Sequence, residues 1–273
     1  MPGELVQLAQ GVYAWLSDPA GHGAPNAGVV VDPDGLTLVD TLMLADEAAD
    51  LAGALEAFDM PLRRVVYTSS LVTSVGGSAL FWQAGFYGTP YTADLLELPA
   101  NVAGYRLIYP EAADRFDDEL AARPVSHAVE EPAWLTRALQ VAVLGGPQPE
   151  NLAALVPVAG VAFAGALASF GTTPLGFEAN PQLWADSLDA LAEVASTIVP
   201  GQGPIGGPDD ARALAAYLRA CLAADGDAAA IGPGPWDGWS HRHFDEVNVE
   251  RAALWARGED RVPVSMLRLV GLA

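Results

Sequence analysis

With 273 residues, 51% of them apolar and 17% charged, the chain can bury a substantial core and is too hydrophobic to remain disordered. Its 13 basic side chains, all arginine, face 34 carboxylates and leave a net charge of −21. Such a field repels phosphate backbones and anionic membranes, so it argues against nucleic acid and membrane surfaces as partners, and against highly anionic substrates unless arginines gather locally.

Segments 5–8, 11–16, 28–31 and 36–41 read as strands. Asp32-Pro33-Asp34-Gly35 supplies the turn between the last two, because Pro and Gly preset turn dihedrals. Leu44, Ala48, Leu51, Leu55 and Phe58 recur at helical spacing, residues 63–68 form another strand, and Gly76-Gly77 is expected to open a helix running through Trp82. Strand, helix, strand, helix in this order is the signal of a layered α/β structure.

The second half repeats the logic. A strand at 139–144 precedes two short apolar runs, 152–156 and 161–164, with Pro157 and Gly160 punctuating the turn between them. The whole uncharged stretch 152–175 is long enough to cross a bilayer, yet a buried hairpin fits that punctuation better. A helix at 181–194, a short strand at 197–199 and a mainly helical region beyond Pro208, broken at Gly232-Pro233-Gly234-Pro235, complete the reading. Two half-chains with strands inside and helices outside predict a four-layer αββα sandwich: two mixed sheets flanked by helices. One integrated domain over 1–273 is expected, with 1–135 as the first αβ half, 136–207 as the second and 208–273 as a helical C-terminal part.

Cys221 is the lone cysteine, so no intramolecular disulfide is possible, and its helix-like surroundings predict a buried, inert thiol. Met1-Pro2-Gly3-Glu4 lacks a basic region followed by an apolar stretch, which favours a cytoplasmic location.

After Arg64-Val65-Val66-Tyr67, the run Thr68-Ser69-Ser70-Leu71-Val72-Thr73-Ser74-Val75-Gly76-Gly77 resembles the metal-binding loop of the metallo-β-lactamase superfamily, in which a strand ends in Thr and enters His-x-His-x-Asp-His-x-Gly-Gly. Other frames follow in the right order. Leu38-Val39-Asp40-Thr41 resembles an opening strand, Gly145-Gly146-Pro147-Gln148-Pro149-Glu150-Asn151 the Gly-Gly-x-His-Thr-x-Asp-Asn region, Phe163-Ala164-Gly165-Ala166-Leu167 the Phe-x-Gly-Asp-Leu segment, and Val199-Pro200-Gly201-Gln202-Gly203-Pro204 the Val-Pro-Gly-His-Gly-Pro segment.

The resemblance implies the fold, while the ligand positions contradict its usual chemistry. Ser69, Leu71, Thr73 and Ser74 stand where the first loop carries ligands, Pro147 or a neighbour replaces the middle histidine, Ala166 the bridging aspartate and Gln202 the last histidine. Zinc needs imidazole, thiolate or carboxylate donors, so no metal or other cofactor is expected. A second His-x-His-x-Asp spacing, His241-Arg242-His243-Phe244-Asp245, falls on a helix-like run to Arg257, where residues two apart diverge and do not share an ion.

A metal-free pocket on this fold is expected to be lined by Tyr67, Leu71, Thr73, Ser74, Pro147, Ala166 and Gln202, with Ser69 and Ser70 as candidate nucleophiles. Tyr67 also reads as an ordinary core residue of its strand. Asp40, lying beside the metal loop in the resemblance, loses its cationic neighbours and, if buried, has its pKa raised, which makes it a candidate general acid or base. His22 sits in a loop expected to overhang the pocket, where it either reaches substrate or is a plain surface histidine. Two function classes stay open. One is a metal-independent enzyme acting on a mostly neutral, apolar small molecule by hydrolase, thioesterase, cyclase or dehydratase chemistry, a polyketide-like substrate among the options. The other is a catalytically inactive pseudoenzyme that binds a ligand or partner protein; an oligomer is compatible with both.

Overall fold

Side-chain parity along the central strands sorts the interior into layers. In the computed structural model, which describes residues 3–17 and 23–273, Val29, Leu38, Val65 and Tyr67 point to one face of a sheet and Val30, Val39 and Val66 to the other. Successive strand residues face opposite sides, so a strand with both sets buried must be covered twice.

That first sheet has seven strands in sequence order: β1 (Glu4–Ala9), β2 (Val12–Leu16), β3 (Ala27–Asp32), β4 (Gly35–Val39), β5 (Leu62–Val66), β6 (Gly85–Gly88) and β7 (His127–Ala128). Pairing is antiparallel from β1 to β4 and parallel from β4 to β7. The second sheet holds β8 (Ala133–Trp134), β9 (Gln140–Leu144), β10 (Asn151–Val156), β11 (Val161–Ser169) and β12 (Thr197–Gln202), antiparallel except for the β11–β12 pair. Both sheets are mixed, as expected.

Val12, Ala14, Val30 and Val66 meet Leu152, Val156, Phe163 and Val199 between the sheets. On the outer face of the first sheet, α1 (Ala45–Leu55) lays down Ala48, Leu51 and Leu55, the residues its spacing selects. Three helical turns follow in the connections: α2 (Val72–Val75), α3 (Pro90–Leu96) and α4 (Val102–Ile108). The outer face of the second sheet is covered by α5 (Pro181–Val194) and α6 (Pro208–Ala223), with α7 (Asp245–Ala256) packed on them and α8 (Val264–Leu269) beyond. Each fully buried Leu or Phe in these layers contributes roughly 1.5–3 kcal/mol. Helix starts follow local chemistry: Asn180 accepts from Leu183 N–H at 3.0 Å before Pro181, and Asp210 accepts from Gly207 N–H at 2.9 Å.

Two expected elements differ. Instead of one helix from Gly76 to Trp82, α2 and a 3₁₀ turn at Ser78–Phe81 flank the glycine pair. A Cβ on Gly76 would lie 2.0 Å from Met43 O, and one on Gly77 2.3 Å from Thr41 O, so the pair permits close contact with the chain after β4. The expected helix from His241 begins only at Asp245, because His241 adopts φ 57° and a 3₁₀ turn spans Arg242–Phe244. The apolar stretch 152–175 covers strand β10, its turn, strand β11 and the loop after it, and among the described residues no helix is long and apolar enough to cross a membrane.

Candidate functional site

The site begins where β4 ends. Asp40 turns into the left-handed region at φ 61°, a conformation Asp tolerates better than most residues, while its N–H stays paired to Val66 O at 2.9 Å. This aims the carboxyl back at the end of β5. There Thr68 N–H donates to Asp40 Oδ1 at 2.8 Å and Thr68 Oγ1–H donates to Oδ2 at 2.7 Å. Asp40 is buried, and that desolvation pushes its pKa up to about 7, against the hydrogen bonds from Thr68 and Ser74 that favour the carboxylate.

A line of hydroxyls extends from this carboxyl. Ser74 Oγ lies 3.2 Å from Thr68 Oγ1 and 3.0 Å from Ser69 Oγ, and Leu71 N–H donates to Ser69 Oγ at 3.3 Å. With Asp40 ionised, the single Thr68 proton is committed to Oδ2, so the Ser74 proton turns to Thr68 Oγ1 or to the Asp40 carboxylate itself, and Ser69 donates to Ser74. Thr41 fixes the loop from the other side, its N–H and hydroxyl donating to Ser74 O at 2.8 and 3.0 Å.

The glycines of the matching frames serve close packing around this network. Gly165, at φ +49°, passes so near Thr68 that a Cβ would sit 2.0 Å from its Oγ1, and Ala166 N–H donates to the same oxygen at 3.3 Å. A Cβ on Gly201 would meet Gly165 O at 2.6 Å. These needs hold with or without a metal.

Asp40, Ser70, Leu71, Thr73, Ser74, Pro147, Ala166 and Gln202 all border one cavity of about 780 Å³. Two expected residues do not border it. Tyr67 is a core residue, fully buried, with its ring 5.4 Å from that of Phe86 and its hydroxyl donating to Arg123 O at 2.9 Å. Strand parity turns it outward from the sheet, away from the loop ends. Ser69 is also fully buried, its hydroxyl absorbed by the Ser74 network behind the wall. His22 lies outside the described residues.

Gln148, the neighbour of Pro147 in the Gly145–Asn151 frame, is a wall residue of the cavity. Its Oε1 accepts from Ser70 N–H at 3.0 Å, and its Nε2 donates to Ser70 Oγ at 2.8 Å. The outer wall was hidden in the sequence. It is built by α3, α4 and the chain between them, and by α8 with the residues that follow, elements that carry Leu96, Leu98, Ile108 and Met266 to the cavity.

The donor set does not suit zinc. Among the described residues, hydroxyls and amides at Ser70, Thr73, Ser74 and Gln202, with nothing to donate at Leu71, Pro147 and Ala166, leave Asp40 as the one strong ligand near the loop ends. Among the described residues no three His, Cys, Asp or Glu side chains come together. At the second His-x-His-x-Asp spacing, Asp245 is taken by Arg242 Nε at 2.8 Å and Tyr217 OH at 2.7 Å, and His241 Nδ1 pairs with Thr172 Oγ1 at 2.9 Å. Cys221 is buried, which pushes its thiol up to about 12 and leaves it unreactive.

No protein-family model matches the chain, and no curated protein matches it in sequence. Solved structures do match it. The metallo-β-lactamase FIM-1 from Pseudomonas aeruginosa, in its mono-zinc form, is 20% identical over 80% of this chain and 96% of its own, with a TM-score of 0.64. A metallo-β-lactamase from Hirschia baltica is 21% identical over 80% and 98%, with a TM-score of 0.61. The stereoselective inverting sec-alkylsulfatase Pisa1 from Pseudomonas sp. is 17% identical over 93% of this chain and 50% of its own, with a TM-score of 0.65. The chain therefore has the metallo-β-lactamase fold. It is a divergent form of that fold, with no group of three His, Cys, Asp or Glu side chains among the described residues that could hold a metal ion.

Proposed function

We propose that the protein is a metal-independent enzyme that performs acid–base chemistry on a mostly neutral, apolar small molecule, with Asp40 moving the proton. The observation that supports this reading is a buried carboxyl with a pKa of about 7 on the cavity wall, joined through Thr68 to the wall hydroxyl of Ser74. A group that titrates near neutrality is available as base and as acid. As carboxylate, Asp40 takes a proton from a substrate C–H or O–H, directly or through Ser74; as acid, it returns that proton to the departing oxygen. Reversal of the hydroxyl chain carries the proton without any heavy atom moving.

Dehydration and cyclisation suit this arrangement better than covalent hydrolysis. Among the described residues Ser70 is held by Gln148 and Ser69 by Ser74, neither of which is a base able to activate a nucleophile. A second reading, an inactive module that binds a ligand or a protein, draws on Leu71, Pro147 and Ala166, which bring no reactive group to the wall.

The deciding experiment offers neutral, hydrophobic β-hydroxy ketones and thioesters to the wild type and to Asp40→Asn in the presence of chelator. Turnover by the wild type, reduced by about 10²-fold or more in a variant that still binds, is the expected result. Binding without turnover selects the second reading, and stoichiometric zinc in protein purified without chelator overturns the metal-independent one.

A further inference from the structure

Strand β12 ends at the cavity in a residue whose backbone is fixed and whose side chain is free. Asn26, itself buried, clamps the chain on both sides of Gln202: its Nδ2 donates to Pro200 O at 3.0 Å and to Gly203 O at 2.9 Å, and its backbone N–H donates to Gly201 O at 2.8 Å. Gln202 O accepts from Phe170 N–H at 3.1 Å. Among the described residues the half-buried Gln202 amide makes no hydrogen bond, although it borders the cavity. Its polar neighbours on the wall do have partners: Asp40 and Ser74 meet at Thr68, Ser70 is held by Gln148, and Ser169 donates to Thr172 O at 3.0 Å. A rigid backbone presenting an uncommitted amide is the arrangement of a preorganised ligand contact.

Touching groups connect this residue to the buried carboxyl. A Cβ on Gly201 would meet Gly165 O at 2.6 Å and Ala166 N at 3.3 Å, and Ala166 N–H donates at 3.3 Å to Thr68 Oγ1, the hydroxyl bound to Asp40. Gln202 also borders a recess of about 90 Å³ beside Ser240 and His241, far below the size of a small-molecule pocket, so a ligand of any size meets the amide from the 780 Å³ side. An amide is neutral and carries N–H donors, which suits an uncharged oxygen function on the ligand.

We infer, resting on the acid–base reading proposed above, that Gln202 binds the carbonyl oxygen of a neutral ketone or thioester through its Nε2–H, while Asp40 takes the proton from the carbon next to that carbonyl. Removing a proton from carbon pushes charge onto the carbonyl oxygen, and a fixed donor there holds the developing oxyanion more strongly than the neutral ground state. In a β-hydroxy ketone the electrons of the broken C–H bond form the C=C bond and the β C–O bond breaks. The departing oxygen leaves as water with the proton returned by Asp40, and Gln202 ends unchanged.

The test uses the full chain with methyl octyl ketone, labelled with ¹³C at its carbonyl, as a ligand that has no leaving group, and with its β-hydroxy derivative as substrate. On the wild type the bound carbonyl resonance is expected downfield of its position in apolar solvent, the signature of a donated hydrogen bond. Gln202→Leu, which keeps the volume and deletes the donor, should return the resonance to the apolar position and weaken ketone binding by about tenfold. Its kcat for dehydration should fall by about 10²-fold or more, well beyond the change in KM. A downfield resonance that persists in Gln202→Leu, or dehydration that the substitution leaves intact, overturns the inference and leaves the acid–base reading standing. A wild type that binds the ketone with the downfield shift but does not dehydrate the hydroxy ketone overturns the acid–base reading and retains the carbonyl contact. Failure of the ketone to bind the wild type overturns the contact itself. Should Gln202→Leu not fold, Gln202→Met carries the same comparison.

Discussion

Thr68 holds both oxygens of Asp40, its N–H on Oδ1 at 2.8 Å and its hydroxyl on Oδ2 at 2.7 Å. The loop after β5 is organised around one buried carboxyl. Thr68 links the two sheets at this point, since its carbonyl also accepts from Leu152 N–H at 2.8 Å and its hydroxyl oxygen from Ala166 N–H at 3.3 Å.

Stability should depend on pH through Asp40. Its folded pKa of about 7 exceeds the roughly 3.9 of an unfolded Asp, so between these values the folded state binds more protons than the unfolded one. The resulting stabilisation is fully present below about pH 4 and is lost as pH rises through about 7, an effect of ~4 kcal/mol at most. Asp40→Asn should remove this slope. Denaturant melts of both proteins across pH 4 to 8 measure it, and the difference between them isolates Asp40 from the repulsion among the other carboxylates; parallel curves would contradict the assignment.

Thr68→Val keeps the shape and the N–H bond but deletes the hydroxyl. Asp40 then loses a donor that favours its charged form, so its pKa should climb above the wild-type value. The lost bond to a buried acceptor should cost about 1–3 kcal/mol. Thr68→Ser should restore most of both effects. Carboxyl ¹³C shifts of Asp40 followed against pH report the first effect, and chemical denaturation the second.

Gly165→Ala should be among the most damaging single-methyl changes in the chain. The added Cβ would stand 2.0 Å from Thr68 Oγ1, in a backbone at φ +49° that already disfavours a side chain. A loss of about 2–4 kcal/mol is expected, with the titration of Asp40 disturbed as well. Gly53→Ala, at a helical position with open space around it, should be neutral or stabilising by up to about 1 kcal/mol. Equal effects of the two changes in thermal melts would refute the close-packing account.

The contrast between those glycines shows what the sequence reveals and what it hides. Strand order, the β10–β11 hairpin and the two-sheet architecture were legible because alternation and Gly/Pro punctuation are local signals, and the loop-end residues Ser70, Leu71, Thr73, Ser74, Ala166 and Gln202 were legible because they occupy fixed places in those frames. Tyr67 falls in the core, the alternative its strand position already offered, because one step along a strand moves a side chain to the opposite face. Ser69 was misplaced because its hydroxyl is satisfied by Ser74, a pairing no spacing rule announces. The outer wall from α3, α4 and α8 stayed hidden because short helices with few turns leave weak periodicity, and their contact with the loop ends is entirely long-range.

Gln148 supplies the last prediction. Its buried amide spans from the hairpin ahead of β10 to Ser70, accepting from the Ser70 N–H and donating to its hydroxyl, so it pins the cavity wall between two loops. Gln148→Ala should free Ser70 and leave its N–H without a protein partner, at a cost of about 1–3 kcal/mol. Ser70→Ala should cost less, because the Gln148 carbonyl retains the backbone donor. A double-mutant cycle over the two positions should then give a coupling of about 0.5–2 kcal/mol, the signature of residues that share one hydrogen-bonded unit. If the pair only decorates the wall, the coupling will be near zero and ligand affinity unchanged in Gln148→Ala; if it holds the wall, affinity for an apolar ligand should fall in parallel with the coupling, because a loosened loop must be ordered again on each binding event.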